Sequence, residues 1–338
     1  MTKPTNHDDA AANADGREAV GGPCAAMPSW FRRLSKKRRN LRRWVLVLAG
    51  GLLCGLALHL AWPLIAVAIW GRSVPTLYLI AEDSDGVHFV PAGADTIRNE
   101  PNLVIITHGW YEREPWPARM ALAIYQRVDH RSWCCGWYDW RGQATRLLPW
   151  DASKIARDET GPSLGRQIVG LSEQWRHVHL IGHSSGTWLV NEAAAVVASR
   201  TSANLHVTYL DAYVPQGWDP NALGRFASDP CEVFWADHYF TRDWIGDMTA
   251  NVLTRACNVD ITAVNPGFNS HKFPWYWYQA TIAGGYDPNG RFARDRVYNE
   301  VSGVQYGYER SLEAGRLNWQ TSLDLGAAGK AIHVRSSR

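Results

Sequence analysis

The chain has 338 residues, of which 46% are hydrophobic, enough to bury a core and to exclude a wholly disordered or collagen-like protein. Its 35 basic and 32 acidic residues give a formal net charge of +3, but residues 1–43 alone hold 10 of the basic and 4 of the acidic ones. Residues 44–338 are therefore slightly acidic, with 25 basic and 28 acidic side chains, which argues against nucleic acid as a partner because such a protein carries its basic surface on the folded domain.

The first 70 residues predict a leader and a membrane anchor. Residues 1–43 are expected to form a disordered basic leader. Residues 44–70 run 27 positions without a formal charge, which exceeds the roughly 20 residues that a transmembrane helix needs. Eight basic residues stand just before this segment: Arg32, Arg33, Lys36, Lys37, Arg38, Arg39, Arg42 and Arg43. The positive-inside rule then places the N-terminus in the cytoplasm and exports residues 71–338; a cleaved signal peptide is the alternative.

Residues 71–338 alternate predicted strands and helices, which is typical of one α/β domain with a mostly parallel sheet flanked by helices. The predicted strands are Thr76–Ala81, Val87–Pro91, Leu103–Thr107, Trp133–Tyr138, Val178–Ile181, Val207–Leu210, Glu232–Trp235 and Val259–Thr262. The predicted helices are Pro115–Arg127, Ser163–Trp175, Ser185–Ser199 and one that follows Pro274. Residues 303–338 are expected to form a surface tail or to close one side of a pocket through Tyr306 and Tyr308.

Export would place four cysteines in an oxidising compartment, where disulfides persist. Cys231 and Cys257 are the candidate pair, although two buried thiols fit the sequence equally well. Cys134 and Cys135 are adjacent in a predicted strand, so they should point to opposite faces and not be bonded to each other. The sequence has no CxxC or HExxH spacing, so we expect neither zinc nor any other cofactor.

The strongest chemical signal is the motif Gly182-His183-Ser184-Ser185-Gly186, which lies between an apolar strand and a predicted helix. A nucleophilic serine on such a sharp turn needs glycines beside it, because a Cβ would clash between strand and helix. The start of the helix also directs free backbone N–H groups towards the reacting centre. The sequence therefore predicts Ser184 as a nucleophile.

Four short segments in this order resemble the α/β-hydrolase superfamily of serine hydrolases, with a looser similarity to the pancreatic-lipase family. They are His108-Gly109-Trp110, Tyr138-Asp139-Trp140, the motif around Ser184, and Leu210-Asp211-Ala212. The resemblance implies an α/β-hydrolase fold and an oxyanion hole made by the backbone N–H groups of Trp110 and Ser185. Ala212 replaces the lipase proline and Ser185 the usual leucine, so the similarity to true lipases is limited.

The resemblance also implies a base and an acid that follow the serine in the order acid, then histidine. The candidate bases are His206, His238, His271 and His333. His271 is preferred because it falls between the last core strand and a Trp-rich helix, where the superfamily carries its base. Asp211 is the preferred acid, and Asp237, one strand later, is the alternative.

These residues predict a membrane-anchored serine hydrolase that acts on small-molecule or lipid carboxylic esters. About 60 residues between Asp211 and His271 are rich in aromatic side chains, which suits an apolar acyl pocket. An acyltransferase using the same triad and a non-catalytic binding module on the same fold are the alternatives. The sequence leaves the acyl-chain length, the alcohol part and the oligomeric state open.

Overall fold

The structure is a computed structural model. It describes residues 41, 44–55, 57, 61, 65, 68, 73–97, 100–224, 234–242, 248–265, 270–283, 307–310 and 331–333.

The chain divides into two compact units, residues 1–59 and residues 60–338. In the first unit, residues 44–55 form a helix. Within the described ranges, the structure contains no helix that is both long and apolar enough to cross a bilayer. Apart from Leu41, the predicted leader lies outside the described residues, as do many positions of the predicted anchor, so both stay predictions.

The second unit is built on a nine-stranded sheet with the order β2-β1-β4-β3-β5-β6-β7-β8-β9. Strand β1 pairs antiparallel with β2 and with β4, and the other neighbours pair in parallel. The strands are β1 (Thr76–Asp83), β2 (Gly86–Pro91), β3 (Asn102–Thr107), β4 (Trp133–Asp139), β5 (His177–His183), β6 (Asn204–Leu210), β7 (Phe234–Phe240), β8 (Cys257–Asp260) and β9 (Ala331–His333). The predicted mostly parallel sheet is confirmed.

Helices pack on both faces of the sheet. They are α1 (Trp116–Tyr125), α2 (Arg141–Ala144), α3 (Pro149–Ile155), α4 (Gly161–Leu171), α5 (Gly186–Arg200) and α6 (Phe273–Ala283). Alternate residues of β3 separate the two layers: Leu103 packs with α4 and α5, and Val104 packs with α1 and α6. All seven residues of β5 are buried, as expected for a central strand covered on both faces. The carboxyl ends of these parallel strands meet at one edge, where a ligand site is expected.

Strand β7 is the element that the sequence misplaces most. The predicted strand ends at Trp235, whereas the observed strand continues to Phe240. Asp237 and His238 interrupt the apolar pattern, but both are fully buried and hydrogen-bonded inside the sheet. Polar groups that are hydrogen-bonded inside the sheet are compatible with a buried strand, and the hydrophobic pattern alone does not reveal them.

The cysteines of β4 follow the prediction, because Cys134 packs in one hydrophobic layer and Cys135 in the other. Cys257 is buried at the start of β8, while Cys231 lies outside the described residues, so their disulfide stays a prediction. Tyr308 is also buried and its backbone N–H donates to Thr281 Oγ1 of α6 at 2.9 Å. Part of the predicted tail thus packs on α6, and Tyr306 lies outside the described residues.

Candidate active site

Ser184 lies in the turn that joins β5 to α5, with a backbone φ of +55°. This left-handed conformation is costly for a residue other than glycine and is typical of functional sites. The Ser184 N–H donates to the carbonyl of Leu210 at 3.0 Å, which fixes the turn to the end of β6. A Cβ on Gly182 would lie 2.5 Å from the Gly186 carbonyl oxygen, and one on Gly186 would clash with the His108 carbonyl. Glycine is therefore required on both sides of the serine.

His271 connects Ser184 to Asp211. Its Nε2 lies 2.9 Å from Ser184 Oγ, and its Nδ1 lies 2.7 Å from Asp211 Oδ2. The carboxylate can only accept, so Nδ1 carries the hydrogen and Nε2 accepts from the serine hydroxyl. His271 is 35% exposed and Asp211 is fully buried. Three residues that are up to 87 positions apart in sequence are thus brought into one hydrogen-bonded chain.

Asp211 is held in a fixed orientation by the backbone around it. It also has a positive φ, of +49°, and its N–H donates to the Tyr239 carbonyl at 2.8 Å. Its second carboxylate oxygen, Oδ1, accepts the Thr241 N–H at 2.9 Å. Burial raises the pKa of Asp211, whereas the hydrogen bonds from His271 and from Thr241 favour its charged form. The carboxylate is therefore aimed at His271 and supported from its other side.

The loop after β3 approaches the serine closely. A Cβ on Gly109 would lie 2.6 Å from Ser184 Cβ and 2.8 Å from the His183 carbonyl oxygen, so this position requires glycine. Trp110 comes next, and its indole N–H donates to the Arg146 carbonyl at 2.8 Å. Tyr111 then has a φ of +54°. Tyr111, Ser184 and Asp211 are the described non-glycine residues with positive φ, and all three lie at this edge of the sheet.

Ser185 starts the other side of the site, immediately before α5. Its hydroxyl accepts from Ser153 Oγ at 2.9 Å and is directed to the Pro149 carbonyl at 3.4 Å. The side chain is therefore engaged with α3, and the backbone N–H is part of the helix N-terminus. Such amides are the usual donors to an anion at the start of a helix.

A sequence profile of the alpha/beta hydrolase family matches residues 103–303. The chain belongs to the α/β hydrolase family. It is also similar to a solved structure, lipase B from Aspergillus fumigatus, with 12% sequence identity and a TM-score of 0.36. The match covers 58% of each chain, so this protein spans little more than half the length of that lipase. No match was found among curated proteins.

The alternative acid of this α/β hydrolase lies elsewhere. The sequence placed Asp237 at the carboxyl end of a strand, but it is in the middle of β7, opposite Thr208 of β6. Its Oδ1 accepts from Thr208 Oγ1 at 2.6 Å and lies 3.2 Å from His206 Nε2. Burial opposes ionisation, but His206 and Thr208 hold the pKa of Asp237 below its usual value. Asp237 thus belongs to a separate buried cluster and makes no bond to His271.

The other candidate bases are also accounted for. His206 belongs to the cluster with Asp237, and His238 accepts the Ala212 N–H while facing Asn258. His333 lies in β9. Across the described parts of the chain, no group of three or more His, Cys, Asp or Glu side chains is arranged to hold a metal ion.

Two polar residues of the site were missed by the sequence reasoning. Thr241 was not identified because it follows β7, whose end the hydrophobic pattern misplaced. His183 was visible inside the serine motif but was treated as its variable position. Both hydrogen-bond the segment that carries His271: Thr241 Oγ1 donates to the Ser270 carbonyl, and His183 Nε2 bonds to the His271 carbonyl, each at 2.8 Å.

Proposed function

We propose that this α/β hydrolase is a serine hydrolase that cleaves carboxylic esters through an acyl-enzyme. The observation that carries the proposal is the hydrogen-bonded chain from Ser184 through His271 to the buried Asp211, with contacts of 2.9 Å and 2.7 Å. A serine hydroxyl is a weak nucleophile at neutral pH and needs an adjacent base whose tautomer is fixed by a third group. These three side chains supply each of those parts.

In the first half of the reaction, Ser184 Oγ attacks the ester carbonyl while His271 Nε2 takes its proton. The tetrahedral intermediate collapses when His271 returns that proton to the leaving alcohol, which forms the acyl-enzyme. Water then attacks the acyl carbonyl, with His271 again as the base, and Ser184 recovers its proton as the acid leaves. Asp211 stabilises the imidazolium that forms in both halves.

The oxyanion of each intermediate would be bound by the backbone N–H groups of Trp110 and Ser185. Two observations support this role. Gly109 packs against Ser184 without a side chain between them, and Ser185 precedes the first turn of α5. Removing one such donor from a serine hydrolase costs roughly 3 to 4 kcal/mol of transition-state stabilisation.

Exposed apolar side chains that follow strands at the carboxyl edge of the sheet support an ester with an apolar acyl part. From residue 73 onward, the described residues include seven exposed large hydrophobic side chains, and five of these follow strands at the carboxyl edge of the sheet. The five are Trp110, Leu147, Leu148, Trp150 and Met248. Trp150 meets Trp218 edge to face at 6.1 Å, and Trp218 and Met248 line a cavity of about 370 Å³. Among the described residues from 73 onward, most exposed large apolar side chains thus belong to segments that follow the strands at the edge that carries Ser184, and such clustering is typical of a ligand-binding surface.

A fluorophosphonate probe tests the nucleophile, because it reacts with activated serines. We expect it to label the protein and to block hydrolysis of a graded panel of short and long acyl esters. Ser184→Ala should abolish both labelling and hydrolysis, while Ser199→Ala, at the exposed end of α5, should change neither. Labelling that persists in Ser184→Ala would refute the assignment, and so would a folded protein that hydrolyses no ester.

We also propose that residues 44–70 anchor the protein in a membrane and that the hydrolase domain is exported. The uncharged run of 27 residues and the eight basic residues before it support this topology. The full chain should resist alkaline carbonate extraction, and protease added to the outer side of sealed membranes should digest the hydrolase domain. Recovery of the chain in the carbonate supernatant would contradict the anchor.

A further inference from the structure

Besides the bonds of the His271 ring to Ser184 and Asp211, the segment that carries His271 is bonded to the rest of the domain at three successive residues. Thr241 Oγ1 donates to the Ser270 carbonyl at 2.8 Å, His183 Nε2 bonds to the His271 carbonyl at 2.8 Å, and Lys272 Nζ pairs with Glu114 Oε1 at 2.7 Å. The Lys272 pair is partly exposed, and such pairs contribute little. Of these three bonds, the one from His183 is made to the backbone of His271.

His183 also contacts the imidazole that it anchors. The two ring centroids are 4.7 Å apart with planes at 39°, and Trp116 packs edge to face with His183 at a centroid distance of 5.9 Å. His183 is 3% exposed, so its ring is confined between β5, α1 and the His271 segment. It therefore restrains both the backbone and the ring of His271.

The protonation state of His183 suits this position. Burial and the neighbouring His271 lower the pKa of His183 well below its ordinary value, so the ring stays neutral. A neutral imidazole carries one N–H, and the His271 carbonyl can only accept, so the hydrogen is on Nε2. A neutral ring also adds no like charge beside His271 when that residue takes up the serine proton.

We propose that His183 is a positioning residue that sets the distance between His271 and the nucleophile. This inference rests on the proposed function. His183 directly precedes Ser184 in the chain, and its side chain is hydrogen-bonded to the backbone of His271. A single residue therefore links the backbone of the nucleophile to the backbone of the base. Without that bond the His271 segment can shift relative to the serine turn, and a displacement of about 1 Å is enough to cost roughly 100-fold in rate.

Three substitutions test this role in the full chain. His183→Gln keeps a side-chain N–H at about the same reach, whereas His183→Leu keeps the bulk and removes the donor. His177→Leu is the matched control, since His177 is buried at the other end of β5, six residues away and on the same face. We expect His183→Leu to lower kcat roughly 10- to 100-fold with KM changed less than about 3-fold. His183→Gln should recover most of kcat, and His177→Leu should stay near wild type.

An NMR measurement tests the position of the His271 ring without requiring turnover. The Nδ1 proton of His271, bonded to Asp211, should give a strongly downfield signal in the wild type, in His183→Gln and in His177→Leu. The signal should weaken or shift in His183→Leu. If His183→Leu does not fold, His183→Asn takes its place, because the shorter Asn side chain cannot reach the His271 carbonyl.

The outcomes separate this inference from the proposed function. Wild-type kcat and an unchanged signal in His183→Leu would overturn the positioning role. An equal loss of kcat in His183→Gln and His183→Leu would also overturn it, and so would a loss of kcat in His177→Leu as large as that in His183→Leu. A wild-type protein without Ser184-dependent hydrolysis would instead overturn the proposed function, and the NMR arm would still test the geometry.

Discussion

Replacing Asp211 by Asn should disable His271 by reversing its tautomer while leaving the fold intact. In the native site, one carboxylate oxygen accepts the Thr241 N–H at 2.9 Å and the other accepts His271 Nδ1–H at 2.7 Å. The Asn amide has one acceptor oxygen, and the backbone N–H of Thr241 requires it. The NH₂ group must then face His271, so Nδ1 becomes an acceptor and the hydrogen moves to Nε2. An Nε2–H cannot take the proton of Ser184.

The expected loss follows from this geometry. A serine hydrolase with the wrong tautomer loses roughly 10⁴-fold in kcat, which corresponds to about 5.5 kcal/mol at 1.36 kcal/mol per factor of ten. Asn tolerates the left-handed φ of +49° at this position as well as Asp does, so folding should be retained. The assay is the steady-state hydrolysis of the best ester of the panel, with circular dichroism to verify the fold.

Asp237→Asn is the control, because Asp237 is equally buried and was the alternative acid. It should keep kcat within a few-fold of wild type, since the Asp237 carboxylate bonds to Thr208 and His206 and not to His271. If the Asp211→Asn variant retained more than about a tenth of wild-type activity, the expected reversal of the His271 tautomer would be refuted. Loss of activity in a folded Asp237→Asn would move the acid to Asp237.

Three further predictions concern the surroundings of the site. Gly109→Ala should lower kcat roughly 100-fold with little change in KM, because its Cβ would lie 2.6 Å from Ser184 Cβ and displace the loop after β3, which carries the proposed oxyanion donor Trp110. Unchanged kinetics would contradict this. Burial lowers the pKa of His238 to about 4, so its neutral form stabilises the fold above pH 6.5 and this contribution is lost as pH falls towards 4. Urea unfolding should show that, between pH 7.5 and pH 4.5, the free energy of unfolding falls by about 2.5 kcal/mol more in the wild type than in His238→Gln. An equal fall in both proteins would exclude His238 as the source of this pH dependence. Thr241→Val should lower kcat roughly 10-fold and Thr241→Ser should restore it, because the lost bond is the hydroxyl's to Ser270; identical kinetics of the two variants would refute that role.

The buried cluster around Asp237 explains why the choice of acid was hard from sequence. Asp211 and Asp237 both follow apolar residues in or near predicted strands, so the position at which each strand ends decides which of them reaches the edge. Strand β7 extends to Phe240, so Asp237 pairs in register with Thr208 and remains inside the sheet. Asp211 comes directly after Leu210, the last residue of β6, and projects into the site.

The strand-turn-helix frame and the candidate nucleophile Ser184 could be predicted from the sequence, because both depend on local features. Apolar strands, a serine between closely spaced glycines and a following helix depend on residues within about 20 positions of each other. The expected base and preferred acid also came from chain order, by resemblance to a superfamily. Only the folded chain shows which histidine reaches Ser184 and which aspartate reaches that histidine, because both depend on strand register and on the left-handed turn at Asp211. It also decided the roles of Thr241 and His183, whose partners are 29 and 88 residues away. Hydrogen bonds over such distances leave no periodic pattern in a sequence, since they exist only after the parallel strands have brought their carboxyl ends to one edge.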